Sequence, residues 1–139
     1  MTMFMTQLRW TTAAIASVAS LVLVGCATIG GTPEQAVSQR ANAYWKARMA
    51  SDYKAAYELT TASYRKLRTQ EQFRRQFGST AAVNDAQVYQ TTCEPAKCVV
   101  RMKLTTTPAL PMLNVGTIPL YVDETWLLED DQWLRYQEP

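Results

Sequence analysis

The sequence predicts an α+β fold, with helices first and a curved antiparallel sheet after them. Two observations carry that prediction. Across residues 33–77 the apolar side chains recur at helical spacing, with polar residues between them. Across residues 86–137 they alternate, or run in short stretches rich in Val, Thr, Tyr and Trp, as strands do. Helices followed by strands, in one chain of 139 residues, is the pattern of a single domain whose helices cover one face of a sheet.

The elements follow from the N-terminus onward. Arg9 is the only charged residue before Glu34, and residues 10–25 form an uncharged run of mostly Ala, Val, Leu and Ile. A bilayer-spanning helix needs about 20 apolar residues, so this run is short for a permanent span. A positive residue, a short apolar core and small residues after it form the pattern of a secretory signal. The run ends on Leu23-Val24-Gly25-Cys26, which resembles the lipobox of bacterial lipoproteins. That resemblance implies removal of residues 1–25 as a signal peptide, a diacylglyceryl group on the Cys26 thiol and acylation of its new amino group. Two or three acyl chains hold a protein stably, whereas one binds with about 10⁴ M⁻¹. Ala27 in place of Asp after the cysteine implies the outer membrane, facing the periplasm. Residues 26–32 are then the lipidated cysteine and a short glycine-containing tether, and residues 33–139 the domain.

Thr32 is placed to cap a helix that begins with Pro33 and Glu34. Val37, Ala41, Tyr44, Trp45 and Met49 then share a face. Ser51 breaks this helix and is read as the cap of a second, "DYKAAYELT", in which Tyr53, Ala56 and Tyr57 face one way. "SYRKL" leads to Thr69, whose spacing to Gln72 fits a capping box for a third helix, "QEQFRRQF". Phe73 and Phe77 lie on one face of it, and Gly78 ends it.

Four strands come next. "AQVYQTT" and "VVRMKLTT" flank Cys93 and Cys98, with Glu94-Pro95-Ala96-Lys97 read as a hairpin loop. In an exported protein two such cysteines are expected to pair, and facing positions on antiparallel strands are within disulfide reach. A redox pair ordinarily has two intervening residues beside a helix start, and a metal site needs more than two thiols. Val100, Met102 and Leu104 alternate with Arg101, Lys103 and Thr105, giving one buried and one wetter face. "IPLYVDETWLLE" is a long strand, Asp130-Asp131 a tight turn and "QWLRY" a short final strand.

The combination resembles the nuclear-transport-factor-2-like superfamily, also called cystatin-like or SnoaL-like. The resemblance rests on "AYWKARM" before "SDYKAAYELTTASYR", on "TQEQFRRQF", and above all on the final hairpin "DETWLLEDDQWLRY". It implies a bent sheet wrapped around a long helix into a cone, the open end often a pocket. The same fold hosts isomerases, dehydratases, ligand binders and scaffolds, so fold alone does not decide function.

Chemistry-bearing residues are few. The chain has no histidine, which removes the commonest general base near neutral pH and the commonest transition-metal ligand. Most carboxylates sit at helix starts and turns. Asp123 and Glu124 lie within the long strand, on opposite faces by alternation, so one of them points toward the cone. The other reading is a solvated sheet edge, or a partner for Arg101 or Lys103 on the next strand. Tyr44, Trp45, Tyr53, Tyr57, Trp126 and Trp133 are either pocket lining or core; Tyr44, Tyr57 and Trp126 are the pocket candidates. No metal or cofactor is expected, and a net charge of +2 gives no sign of nucleic-acid binding.

Charge divides with the architecture: residues 33–75 carry nine basic and four acidic side chains, and residues 76–139 four and eight. The cluster "YRKLRTQEQFRR", with Arg74 and Arg75, is the densest and suits anionic headgroups or cell-wall polymer. The uncharged stretch 105–119, with Leu110, Met112 and Leu113, calls for a cover: the cone's mouth, the domain's own core, a partner or the membrane. The expectation is a noncatalytic envelope lipoprotein that binds a small apolar ligand or an envelope protein. The alternative is a scaffold subunit of an envelope assembly, and the third reading a small isomerase or dehydratase.

Overall fold

The computed structural model describes residues 31–77, 82–108 and 116–139. Cys26, Gly78, Leu110, Met112 and Leu113 lie outside the described residues.

The first helix, α1 (Pro33–Met49), starts at a complete capping box. Thr32 Oγ1 accepts the Gln35 amide at 3.3 Å, and Gln35 Oε1 accepts the Thr32 amide at 3.1 Å. Val37, Ala41, Tyr44 and Trp45 are its buried residues. It closes with the Ser51 amide on the Arg48 carbonyl and the Asp52 amide on the Ala47 carbonyl, at 3.0 and 2.8 Å. This is the Schellman pattern, which puts its left-handed residue at Ser51, φ 59°. Ser51 therefore ends α1 and does not cap the second helix as expected, because its left-handed backbone belongs to the C-terminal turn and the cap position falls one residue later. Asp52 caps it instead, its Oδ1 accepting the Ala55 amide at 3.0 Å.

Three short helices follow: α2 (Tyr53–Glu58), α3 (Ala62–Leu67) and α4 (Gln70–Arg75). "SYRKL", expected as a connection, lies within α3. Distant groups hold that segment. The Thr61 amide donates to the Arg135 carbonyl at 3.0 Å, and the Ala62 amide to Glu129 Oε2 at 3.0 Å. Tyr64 is buried edge-on against Phe73, with centroids 6.2 Å apart. The capping box expected at Thr69 and Gln72 is present.

The sheet has the order β1-β2-β3-β4, all antiparallel. Its strands are β1 (Ala82–Glu94), β2 (Lys97–Thr107), β3 (Ile118–Glu129) and β4 (Gln132–Arg135). Register shifts between Val83 and Asp85 and between Val88 and Gln90 interrupt the β1 ladder. Such bulges bend a strand and add twist, and the sheet is strongly curled around the helices. Cys93 and Cys98 are direct cross-strand partners and are disulfide-bonded. The loop between them is shorter than expected. Glu94 and Lys97 continue the ladder, which leaves only Pro95 and Ala96 in the turn. Asp130 and Asp131 both take positive φ, 48° and 59°, the conformation a two-residue hairpin turn requires.

Val100, Met102 and Leu104 of β2 and Trp126 of β3 meet Val37, Ala41 and Tyr44 of α1 in one core cluster. Truncating a buried aromatic such as Trp126 in a core of this kind costs about 3–5 kcal/mol.

Candidate functional site

Of the expected pocket residues, Tyr44 and Trp126 are fully buried. Their rings meet edge to face, with centroids 6.4 Å apart and planes at 88°. They form packed core, and the space a ligand could enter lies further out. Tyr57 is half-buried, its ring 5.7 Å from Phe73, and its hydroxyl donates to the Arg68 carbonyl at 2.6 Å. That bond fastens the segment leading into α4.

A cleft of about 240 Å³ opens beside this core. The last turn of α1 contributes Trp45, Arg48 and Met49, and the turn after it Ser51. Tyr53 comes from the start of α2, Phe77 from the residues after α4, and Ala82 and Val83 from the start of β1. The Schellman turn is what brings Met49 and Tyr53 to one opening, because it reverses the chain immediately after α1. Tyr53 and Phe77 lie parallel, 5.9 Å apart and 5° from coplanar.

Among the described residues Arg48 is the one charged residue lining this cleft. Its guanidinium carbon lies 3.6 Å from the Phe77 centroid, 4.7 Å from Trp45 and 5.8 Å from Tyr44. Ring faces attract a cation but do not neutralise it. All 12 Asp and Glu residues of the chain are among the described residues, and none pairs with Arg48. Its Nε is buried without a hydrogen-bond partner. The sequence reading did not single out Arg48, because nothing local distinguishes it from the other basic residues of the helical half.

On the other side of Tyr44 lies a paired corner. Glu124 is 3% exposed, and its Oε1 accepts from Trp45 Nε1 at 3.1 Å and from Arg135 Nε at 3.0 Å. Arg135 also donates to Gln137 at 2.8 Å and lies 4.7 Å from the Tyr44 centroid. Burial works against the Arg135 charge, but Tyr44 and Glu124 outweigh it and its pKa is raised. Burial pushes the Tyr44 phenol above its ordinary value of 10.0, with the Arg135 and Arg48 charges offsetting part of the effect. The Tyr44 hydroxyl has no hydrogen bond of regular geometry, and Arg48 is the side chain that comes nearest to supplying one.

One carboxylate of the long strand does point inward, and it is Glu124. Asp123 faces outward and takes the neighbouring-strand partner expected for it, Arg101, in a two-pronged pair at 2.7 and 2.8 Å. That hydrogen bonding holds the Asp123 carboxyl below its usual range. The partner of Glu124, by contrast, is neither Arg101 nor Lys103 but Arg135, which β4 brings opposite Trp126. Arg74 and Arg75 are exposed on α4 and share Glu71, at 2.9 and 3.7 Å. Among the described residues no three His, Cys, Asp or Glu side chains are grouped to hold a metal ion.

No protein-family model matches the chain, and no curated protein matches it. Solved structures do. One is a SEC-C motif containing protein from Rhodopseudomonas palustris, with TM-score 0.54 and 11% identity. That match covers 67% of this chain and 69% of the other. Another is a protein from Campylobacter jejuni described as an NTF2-like transpeptidase, with TM-score 0.50 and 13% identity. It covers 78% of this chain and all of the other. The fold of this chain is NTF2-like: helices on a strongly curled four-stranded antiparallel sheet.

Proposed function

We propose that this chain is a lipid-anchored protein of the bacterial envelope, facing the periplasm from the outer membrane, whose domain binds a small, largely apolar ligand. The observation that supports binding is the cleft, in which Met49, Tyr53, Phe77 and Val83 stand beside the polar groups of Arg48 and Ser51. Small-molecule sites are concave and mostly apolar, with few polar groups. The support for the anchor is Leu23-Val24-Gly25-Cys26 at the end of a short apolar run. Binding without catalysis is favoured because Glu124 is paired with Arg135 and held by Trp45 through Oε1, its Oε2 being buried with no partner, and because the chain has no histidine. A general base needs a free, tuned group in reach of the reacting atom.

Mass spectrometry of membrane fractions tests the anchor. The expected result is an acylated N-terminus at Cys26, and Cys26→Ala is expected to release the domain; an unmodified thiol on a retained leader refutes it. Mass spectrometry of small molecules co-purified from native envelopes tests binding, with a stoichiometric apolar compound expected.

A scaffold role is the second reading, and one feature favours it. Tyr89 and Tyr121 are 61% and 49% exposed and meet edge to face at 5.2 Å. Tyrosines set in such pairs are common contact residues at protein interfaces. Crosslinking in native envelopes that captures a protein through Tyr121, with no small molecule recovered, selects this reading over the first.

A further inference from the structure

We propose that Arg48 makes the cleft a receptor for a small monocarboxylate with an apolar body. The proposal rests on the cleft being a binding site and adds the chemistry of what it takes.

Three observations converge on it. First, the charge of Arg48 is half-buried and has no carboxylate partner, whereas the comparably placed Arg135 has one at 3.0 Å. A buried charge without a counter-ion is costly, and an incoming anion removes that cost on binding. Second, the atom without a partner is Nε. A guanidinium offers parallel N–H groups that match the two oxygens of a carboxylate. Nε itself is out of solvent's reach, so the terminal Nη groups are the ones left for Arg48 to present to the cleft it lines. Third, the remaining walls are apolar or aromatic apart from Ser51, and the volume is about 240 Å³. A cavity of about 150 Å³ holds benzene, so there is room for an aromatic ring or short acyl chain bearing one acidic group.

The charge count decides between anions. One guanidinium balances one negative charge. A phosphate monoester near neutral pH carries up to about two, which leaves an excess in a cleft that has no second cation among its described lining residues. A monocarboxylate is therefore preferred to a phosphate of the same body.

The test uses the full chain reconstituted in phosphatidylcholine nanodiscs, with empty nanodiscs as baseline. Calorimetric titration compares 1-naphthoate, 1-naphthamide and 1-naphthyl phosphate. Naphthoate is expected to bind saturably, at least tenfold more tightly than the amide and more tightly than the phosphate. Arg48→Gln is expected to abolish the preference for acid over amide, and Arg48→Lys to restore part of it. Circular dichroism reports whether each variant is folded, and the three-ligand comparison on the unaltered protein needs no variant. Equal affinity for acid and amide overturns the carboxylate proposal and leaves the cleft as an apolar binding site. Tighter binding of the phosphate overturns it too. Failure of all three to bind overturns the cleft as a binding site altogether.

Discussion

Arg48 and Arg135 approach the same ring, that of Tyr44, with guanidinium carbons 5.8 and 4.7 Å from its centroid. Around Arg135 the fold supplies a carboxylate, Glu124, and the amide oxygen of Gln137. Around Arg48 it supplies the rings of Tyr44, Trp45 and Phe77. The first cation is consumed by the structure. The second is held in place but keeps its charge, and it stands at an opening. Two residues of one type at similar depth thus do different work, and what separates them is whether a counter-ion is built in.

Four experiments break or sharpen this contrast. The largest effect is expected at the paired corner. Glu124→Ala leaves the Arg135 charge buried without its partner, and such a loss costs about 3–5 kcal/mol. Arg135 retains some exposure, 18% of its side chain, so a urea titration should find a loss toward the lower end. A loss under about 1 kcal/mol, the size of an exposed pair, would place Glu124 among ordinary surface partners.

Tyr44→Phe comes next. Removing a buried hydroxyl that has no regular hydrogen bond, only the approach of Arg48, should raise stability by up to about 1 kcal/mol. The sign of its pH dependence is also fixed. The folded phenol ionises above its ordinary value of 10.0, so the folded state holds that proton more tightly than the unfolded one. This contribution is complete below about pH 10 and is lost as the pH climbs through the raised folded value. Thermal melts should therefore show a steeper alkaline decline for the unaltered protein than for Tyr44→Phe.

Arg48→Gln removes a cation from three rings, a loss of about 0.5–1 kcal/mol, and relieves an unpaired half-buried charge, so its net cost should be at most about 1 kcal/mol and well below Glu124→Ala. Equal costs would erase the distinction between the two corners. Ser51→Gly is the smallest change. It relieves a left-handed side chain that costs about 1 kcal/mol or more but loosens the unfolded chain, for a net gain of about 0.5 kcal/mol by chemical denaturation.

Much of the fold was legible because its signals are local. Thr32 and Pro33 mark the start of α1, the alternation from Val100 to Leu104 marks the faces of β2, and the long strand runs from Ile118 to Glu129 as its residues suggest. The paired aspartates give the final turn. What escaped depends on distance in sequence. Six residues of α3 carry too little periodicity to be seen, and their position is set by Arg135 and Glu129. The cap of α2 moved one residue because the end of α1 claimed Ser51 first. At the site, the inward turn of a β3 carboxylate was readable from alternation, but its partner was not, since Arg135 meets it only through the β3–β4 register. Arg48 was invisible because its meaning lies in what does not surround it, and that requires every carboxylate to be located.

Trp45 joins the two corners in a single residue. Its indole N–H donates to Glu124, and its ring lies 4.7 Å from the Arg48 guanidinium. The protein therefore carries its own optical gauge. The chain has four tryptophans, so the emission of Trp45 is isolated as the difference between the unaltered protein and Trp45→Phe. A shift in that difference registers an event on either side of the core, and Glu124→Gln separates the two contributions without an attached dye.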